Sequence, residues 1–304
     1  TSLDFVSGGA IHEPNLLVSV AFFVFMLSFG VKAGIFPFHI WLPVAHPSAP
    51  SPASALLSGI MIKTGAYGMI RVMYNLYSID LIQRMGWNNI MLIIAGITIF
   101  LGSAAAIYEK DLKKRLAYSS ISQMGYIFLG MGLLNEAGLT GDIFHIIAHA
   151  IMKSCLFLAA GAIIYKTGKR NIDDLVGIGK EMPITMLSFT TAALAMIGIP
   201  PLVGFITKWE LSLGVLQAGY PYYIGLLLLS SLMNAIYYFP IIVNAFFREE
   251  EREIDKNRVS SYNEVPWKML VPMVVLALGT FVFDIIPNNI PLNIAQRAAM
   301  LLLE

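Results

Sequence analysis

Apolar residues in this chain are laid down in long blocks, not in strand-like alternation or narrow helical stripes. With about 20 apolar residues needed to cross a hydrocarbon layer, the pattern predicts helices over 15–34, 51–74, 88–108, 117–134, 141–165, 183–218, 222–247 and 266–286. The connections are short and hold no Ser/Gly-rich linker, so one bundle is expected, not separate domains. The fold class read from this is all-α, a polytopic membrane bundle of about eight transmembrane helices.

The sixth block needs an interruption. Its 36 residues (183–218) would make a helix of about 54 Å, against a core of about 30 Å. Gly198-Ile199-Pro200-Pro201, followed by Gly204, supplies the break, because proline has no N–H for the helical ladder. Lipid tolerates the freed carbonyls only where protein or water covers them. The segment 34–52 carries five prolines and two histidines in nineteen residues, which forbids a continuous helix. It is too apolar for a solvated loop, so it is expected to be buried or re-entrant.

Composition agrees. Of 304 residues, 57% are apolar and 13% charged, where soluble domains carry about 25% charged residues. The mean hydropathy is +0.71. A net charge of +1 gives no pull toward nucleic acid. The single cysteine, Cys155, allows no intrachain disulfide and no cluster ligation, so neither a cofactor nor a metal nor a redox centre is expected here. No basic segment precedes a short apolar stretch at Thr1, so no signal peptide is expected, and the start of the natural protein is expected upstream.

Positive charge sets the topology. With 183–218 as one broken crossing, the loops at 109–116, 166–182 and 248–268 share one side and hold thirteen Lys and Arg; Arg71, Arg84 and Arg297 lie opposite. That bias places the basic loops in the cytoplasm of a cell (inner) membrane protein, with both termini on the other side.

Four of the 20 basic residues then lie inside apolar helices: Lys32, Lys63, Lys153 and Lys208. Glu210 is counted as the one carboxylate at similar depth. A lysine at the bilayer centre costs about 2.5–3.5 kcal/mol on insertion scales and by default marks a functional path. Burial disfavours the charged form and a nearby carboxylate favours it, so a lysine between the two can exchange protons near neutrality. The plainer alternatives are snorkelling to the interface, best suited to Lys32, and static ion pairing.

His145, His149 and Lys153 recur at i, i+4 and i+8, which puts three titratable groups on one helix face over about 12 Å. That is the geometry of a proton wire. The rival is a metal site, and no carboxylate or cysteine is counted beside them on the helix, so no metal is assigned. His39 and His46 either link Lys32 to Lys63 or hydrogen-bond freed carbonyls. Ser119, Ser120, Ser122 and Gln123 either hold water or bond between helices. Glu249–Glu253 reads as a solvated helix end.

These residues carry a family resemblance. Val31-Lys32, His39-Ile40-Trp41-Leu42-Pro43, Ala45-His46, Ala49-Pro50, Ser54–Gly59, Lys63-Thr64-Gly65-Ala66-Tyr67 and Arg71 match it, as do Asp111–Tyr126, His145-xxx-His149-Ala150-xx-Lys153 and Gly198-Ile199-Pro200-Pro201 with Gly204 and Lys208. Over roughly 30 to 210 the chain resembles the antiporter-like, proton-pumping subunits of respiratory complex I, membrane-bound hydrogenases and Mrp sodium/proton antiporters.

The resemblance implies helices seven to fourteen of that fold, as one transmembrane domain: 15–74 the remainder of a first inverted repeat, 88–247 the second, 266–304 a C-terminal helix and tail. It implies proton transfer by Lys32, Lys63, His145, His149, Lys153 and Lys208; His39, His46, Glu210 and Ser122 are expected to support them from their positions in the sequence. Members carry an upstream glutamate that pairs with the lysine matched by Lys32. Its counterpart is expected from an upstream part of the chain or from a neighbouring subunit.

The function expected is proton translocation within an oxidoreductase complex of the NADH:quinone oxidoreductase or membrane-bound hydrogenase type. The partners are other membrane subunits, the bilayer, and protons or sodium, with no nucleic acid. The alternative is a subunit of an Mrp-type sodium/proton antiporter. Quinone reduction by this chain ranks last, for want of any cofactor fingerprint.

Overall fold

The computed structural model describes residues 9–248, 263–285 and 291–304. Among these the secondary structure is helical, with two isolated bridges, Ile11 to Tyr77 and Asp111 to Asn171. The helices are α1 (Leu16–Ala33), α2 (Leu42–Ser48), α3 (Ser51–Leu76), α4 (Trp87–Tyr108), α5 (Leu112–Gly132) and α6 (Glu136–Thr167). After them come α7 (Pro183–Ile197), α8 (Val203–Gln217), α9 (Tyr222–Phe246), α10 (Trp267–Ile285) and α11 (Pro291–Leu303). Five described stretches are long and apolar enough to cross a membrane: Leu16–Ser48, Ser51–Leu76, Trp87–Tyr108, Glu136–Thr167 and Tyr222–Phe246. Pro183–Ile197 and Trp267–Phe283 are shorter apolar helices.

Local chemistry sets the ends. Asn15, Asp111 and Asn135 accept main-chain N–H bonds at the starts of α1, α5 and α6, at 2.8, 2.9 and 2.8 Å, filling donors that a first turn leaves free. Gly34 and Gly168 close α1 and α6 in the left-handed conformation that favours glycine. The predicted break of the sixth block is real: α7 stops at Gly198, at φ 92°, and α8 resumes after Leu202.

Two expectations change. The fourth predicted helix starts at Leu112, not 117, because Asp111 caps it. Lys113 and Arg115, read as topology charges in a loop, are 4% and 7% exposed. Lys113 Nζ donates to Ala49 O at 2.7 Å, and Arg115 donates to Glu109 O and Tyr237 O at 2.8 Å each and to Ile107 O at 3.4 Å. In the same turn, Glu109 is pushed up by burial. Bonds from Lys114 and from the N–H groups of Asp111 and Lys110 outweigh that and hold its carboxyl below the usual carboxylate range.

The interrupted stretch after α1 contains a 3-10 turn (Phe38–Trp41) and then α2, with Pro47 inside it. Its free carbonyls meet basic side chains: Ala49 O meets Lys113, and Pro47 O accepts from Arg170 at 2.7 Å. The run Glu249–Glu253 lies outside the described residues, as does the side chain of Asp284.

Two apolar clusters form the interior. One joins α6, α7, α9 and α10; the other joins α1, α3, α4 and α5. Helices α4 and α5 meet through small residues: a Cβ on Gly125 would lie 2.9 Å from Ala95 O and from Ile99 N. Close approach by small residues is the usual device of helix packing in lipid. Helix α6 runs between the clusters and carries the polar residues considered next.

A buried file of lysines and histidines

His145, His149 and Lys153 share the inner face of α6 and are 1%, 0% and 0% exposed. The two imidazoles stack, with centroids 5.5 Å apart and planes 4° apart. Their four ring nitrogens are buried with no hydrogen-bond partner among the described residues. Lys153 Nζ donates to Leu116 O at 2.9 Å and to Ser119 Oγ of α5, and reaches Tyr238 of α9 at 3.5 Å.

Lys63 is buried on α3 where the helix widens into a π turn over Leu57–Met61. Its ammonium takes Ser58 O, five residues back. The Ser58 hydroxyl is bonded to that of Ser120, at 2.8 Å, tying the lysine's turn to α5.

The break in the sixth block shapes the third station. Ending α7 at Gly198 leaves its last carbonyls unbonded and turned toward α8. Lys208 Nζ donates to Met196 O at 3.2 Å, Ile197 O at 2.6 Å and Ser231 Oγ at 2.8 Å. A cation at a helix C-terminus also meets the negative end of the helix dipole. The ammonium lies 5.6 Å from the Tyr126 ring centre, and that ring lies 5.7 Å from His145. Tyr126 therefore stands between the histidine file and Lys208.

The remaining candidates are placed differently. Lys32 is exposed on the last turn of α1. His39 is half-buried against Phe36, with ring centres 6.0 Å apart. His46 is fully buried and stacks on Phe157 at 4.4 Å. Ser122 bonds Ser103 at 2.8 Å and Ile99 O at 3.0 Å, a link from α5 to α4. Glu210 is half-buried on α8.

Two sequence readings need correction here. Glu210 is not the one carboxylate at depth, and the histidine helix does carry an acid: Asp142, on α6, is 0% exposed, and neither carboxylate oxygen has a hydrogen-bond partner among the described residues. Its signal was in plain view, an acid three residues before His145 in the same apolar block. Tyr126 and Tyr238 were also missed, since an aromatic in an apolar helix looks like core. Among the described residues no three His, Cys, Asp or Glu converge to hold a metal.

The profile of the family described as "NADH:quinone oxidoreductase/Mrp antiporter, TM" matches residues 4–234. NADH-quinone oxidoreductase subunit N of Desulforudis audaxviator is 38% identical over 298 residues, covering 94% of this chain and 58% of that one. Hydrogenase-4 component B of Escherichia coli is 39% identical over 223 residues, covering 68% and 32%. A chain of respiratory complex I from Thermus thermophilus superposes with a TM-score of 0.82 at 25% identity, covering 96% and 60%. The chain thus spans three fifths or less of the length of these proteins. With the helices above, these matches place it among multi-pass membrane proteins, in the NADH:quinone oxidoreductase/Mrp antiporter transmembrane family.

Proposed function

We propose that this chain is a proton-translocating antiporter-like subunit of a respiratory or hydrogenase-type membrane complex. The observation that carries the reading is the file itself. His145, His149 and Lys153 are buried along one face of α6, Lys63 is buried on α3, which packs against α6, and Lys208 lies beyond Tyr126. Buried polar groups take partners from protein or from ordered water. Water bridging the histidine nitrogens makes the stations continuous for a proton. Each lysine holds its proton against main-chain carbonyls, and the histidines pass it on.

Protons enter from the side of the basic loops, which is cytoplasmic in this reading, pass Lys63 and Lys153, and leave toward Lys208. Lys32 joins through His39 and His46 from the exposed face of α1. The other subunits of the complex supply the driving conformational or electrostatic change. Moving one charge through 100 mV takes about 2.3 kcal/mol, less than two units of proton affinity at 1.36 kcal/mol each.

The test is Lys153→Ala and Lys208→Ala in the parent complex, purified and reconstituted in proteoliposomes. Each lowers proton flux at least about tenfold, a barrier increase of about 1.4 kcal/mol. Unchanged flux in both overturns the assignment. One observation favours an Mrp-like reading instead: Met196 O, Ile197 O and Ser231 Oγ converge on one cation, and carbonyls at broken helices can also hold sodium. Transport that requires sodium would select that reading.

A further inference from the structure

The file has a member that the path above does not use. Asp142 lies three residues before His145 on α6, and Asp142, His145, His149 and Lys153 fall within about 80° of one helix face at 100° per residue. Residues three apart on a helix are neighbours, with Cβ atoms about 5–6 Å apart. A carboxylate buried without hydrogen bonds costs more than almost any other side chain in an apolar interior. Yet both Asp142 oxygens are in that state among the described residues.

The neighbouring elements leave this position closed by backbone. A Cβ built on Gly130 of α5 would lie 2.8 Å from Asp142 Cβ, and one built on Gly141 would lie 3.1 Å from Glu210 Cβ of α8. The titratable groups near Asp142 are His145 on its own helix and Tyr74 of α3, whose hydroxyl is committed to Met131 O at 2.7 Å; Glu210 lies beside the preceding residue, Gly141. Lys208 acts on His145 from beyond Tyr126.

Beyond Asp142, toward the start of α6, is a polar cavity of about 350 Å³, lined by Gln83, Asn88, Asn89, Asn135, Gln217 and Tyr220 among others. Asn135 is the cap of α6, seven residues or about 10 Å from Asp142, and Gln217 ends α8, two turns past Glu210. The cavity opens at the end of α6 opposite the basic loop 166–182.

We propose that Asp142 is the proton-release residue of this chain: it takes the proton from His145 and gives it to water in the polar cavity at the start of α6. In the first step an imidazolium N–H bond breaks as a carboxyl O–H forms; in the second that O–H breaks and water carries the proton out. Lys208, across Tyr126, repels the protonated imidazole and drives the first step. This rests on the proton-path reading above and moves its exit from Lys208 to Asp142, leaving Lys208 as the charge that drives the proton out.

The test uses the whole complex in proteoliposomes. D142N lowers proton flux about a hundredfold, the low end of what a positioned proton-transfer group contributes, while electron transfer with the membrane uncoupled continues; D142E restores flux. The N89C side chain, on the exposed wall of the cavity, reacts with a bulky membrane-impermeant thiol reagent added on the side opposite the basic loops, and proton flux falls on labelling. Wild-type flux in D142N, or unchanged flux after N89C is labelled from that side, overturns the proposal. If Lys153→Ala stops pumping while D142N does not, the path stands and only this exit fails. If both pump normally, the path itself fails.

Discussion

Arg115 shows how a charge is used at the level of one residue. Its guanidinium, 7% exposed, donates to three carbonyls: Ile107 and Glu109 at the end of α4, and Tyr237 of α9. A planar fork with five donors suits such a cluster, and an ammonium does not. Arg115→Ala is expected to cost about 1.5–3 kcal/mol, the range for hydrogen bonds to a charged group. Arg115→Lys recovers only part of it. Thermal unfolding of the detergent-solubilised protein measures both. In sequence Arg115 counts as one more topology charge, since nothing in a residue type says that its partner is a main-chain oxygen. Asp142 escaped notice for a related reason, lying at the edge of a block judged by its apolar content.

Among the elements, α7 is short and starts at Pro183 with no side-chain cap of its own. Glu264, distant in sequence, does that work: its carboxylate accepts from Ile184 N at 2.6 Å, Thr185 N at 3.1 Å and the Thr185 hydroxyl at 2.7 Å. A negative group at a helix N-terminus meets both free N–H donors and the positive end of the dipole. Glu264→Ala should cost about 1–2 kcal/mol in the same unfolding measurement, and Glu264→Gln less.

The elements most legible in sequence were those governed by composition and backbone. Seven of the eight predicted blocks became helices with shifts of a few residues at their ends, and the sixth, 183–218, broke at Gly198 because the prolines after it have no N–H. The least legible were α2 and α11, too short for a block reading, and the π turns of α3, which the sequence does not mark.

The molecule as a whole turns apolar side chains outward as well as inward. Leu16, Leu228, Leu232, Val275 and Leu278 are 82%, 67%, 60%, 60% and 58% exposed, an outer surface suited to lipid or to an apolar partner. Leu232, near the middle of α9, should then respond to charge as a bilayer-facing residue: Leu232→Asp is expected to cost about 2.5–3.5 kcal/mol and to lower the yield of membrane-inserted folded protein, while Leu232→Ile is neutral. Equal yields for both would place this face against water or protein.

Each of the buried ammonium groups has at least one main-chain acceptor: Ser58 O for Lys63, Leu116 O for Lys153, Met196 O and Ile197 O for Lys208, Ala49 O for Lys113. Lys153 also meets the hydroxyl of Ser119, and Lys208 that of Ser231. A carboxylate partner can be deleted and restored by single codon changes, so an ion pair leaves a trace of paired losses and reversions. A peptide oxygen has no codon of its own. Defects at Lys63 and Lys113 therefore have no partner-side suppressor, and genetic selection can repair them only by returning the lysine or by moving a helix, whereas Lys153 and Lys208 each keep a serine hydroxyl partner that a codon can change.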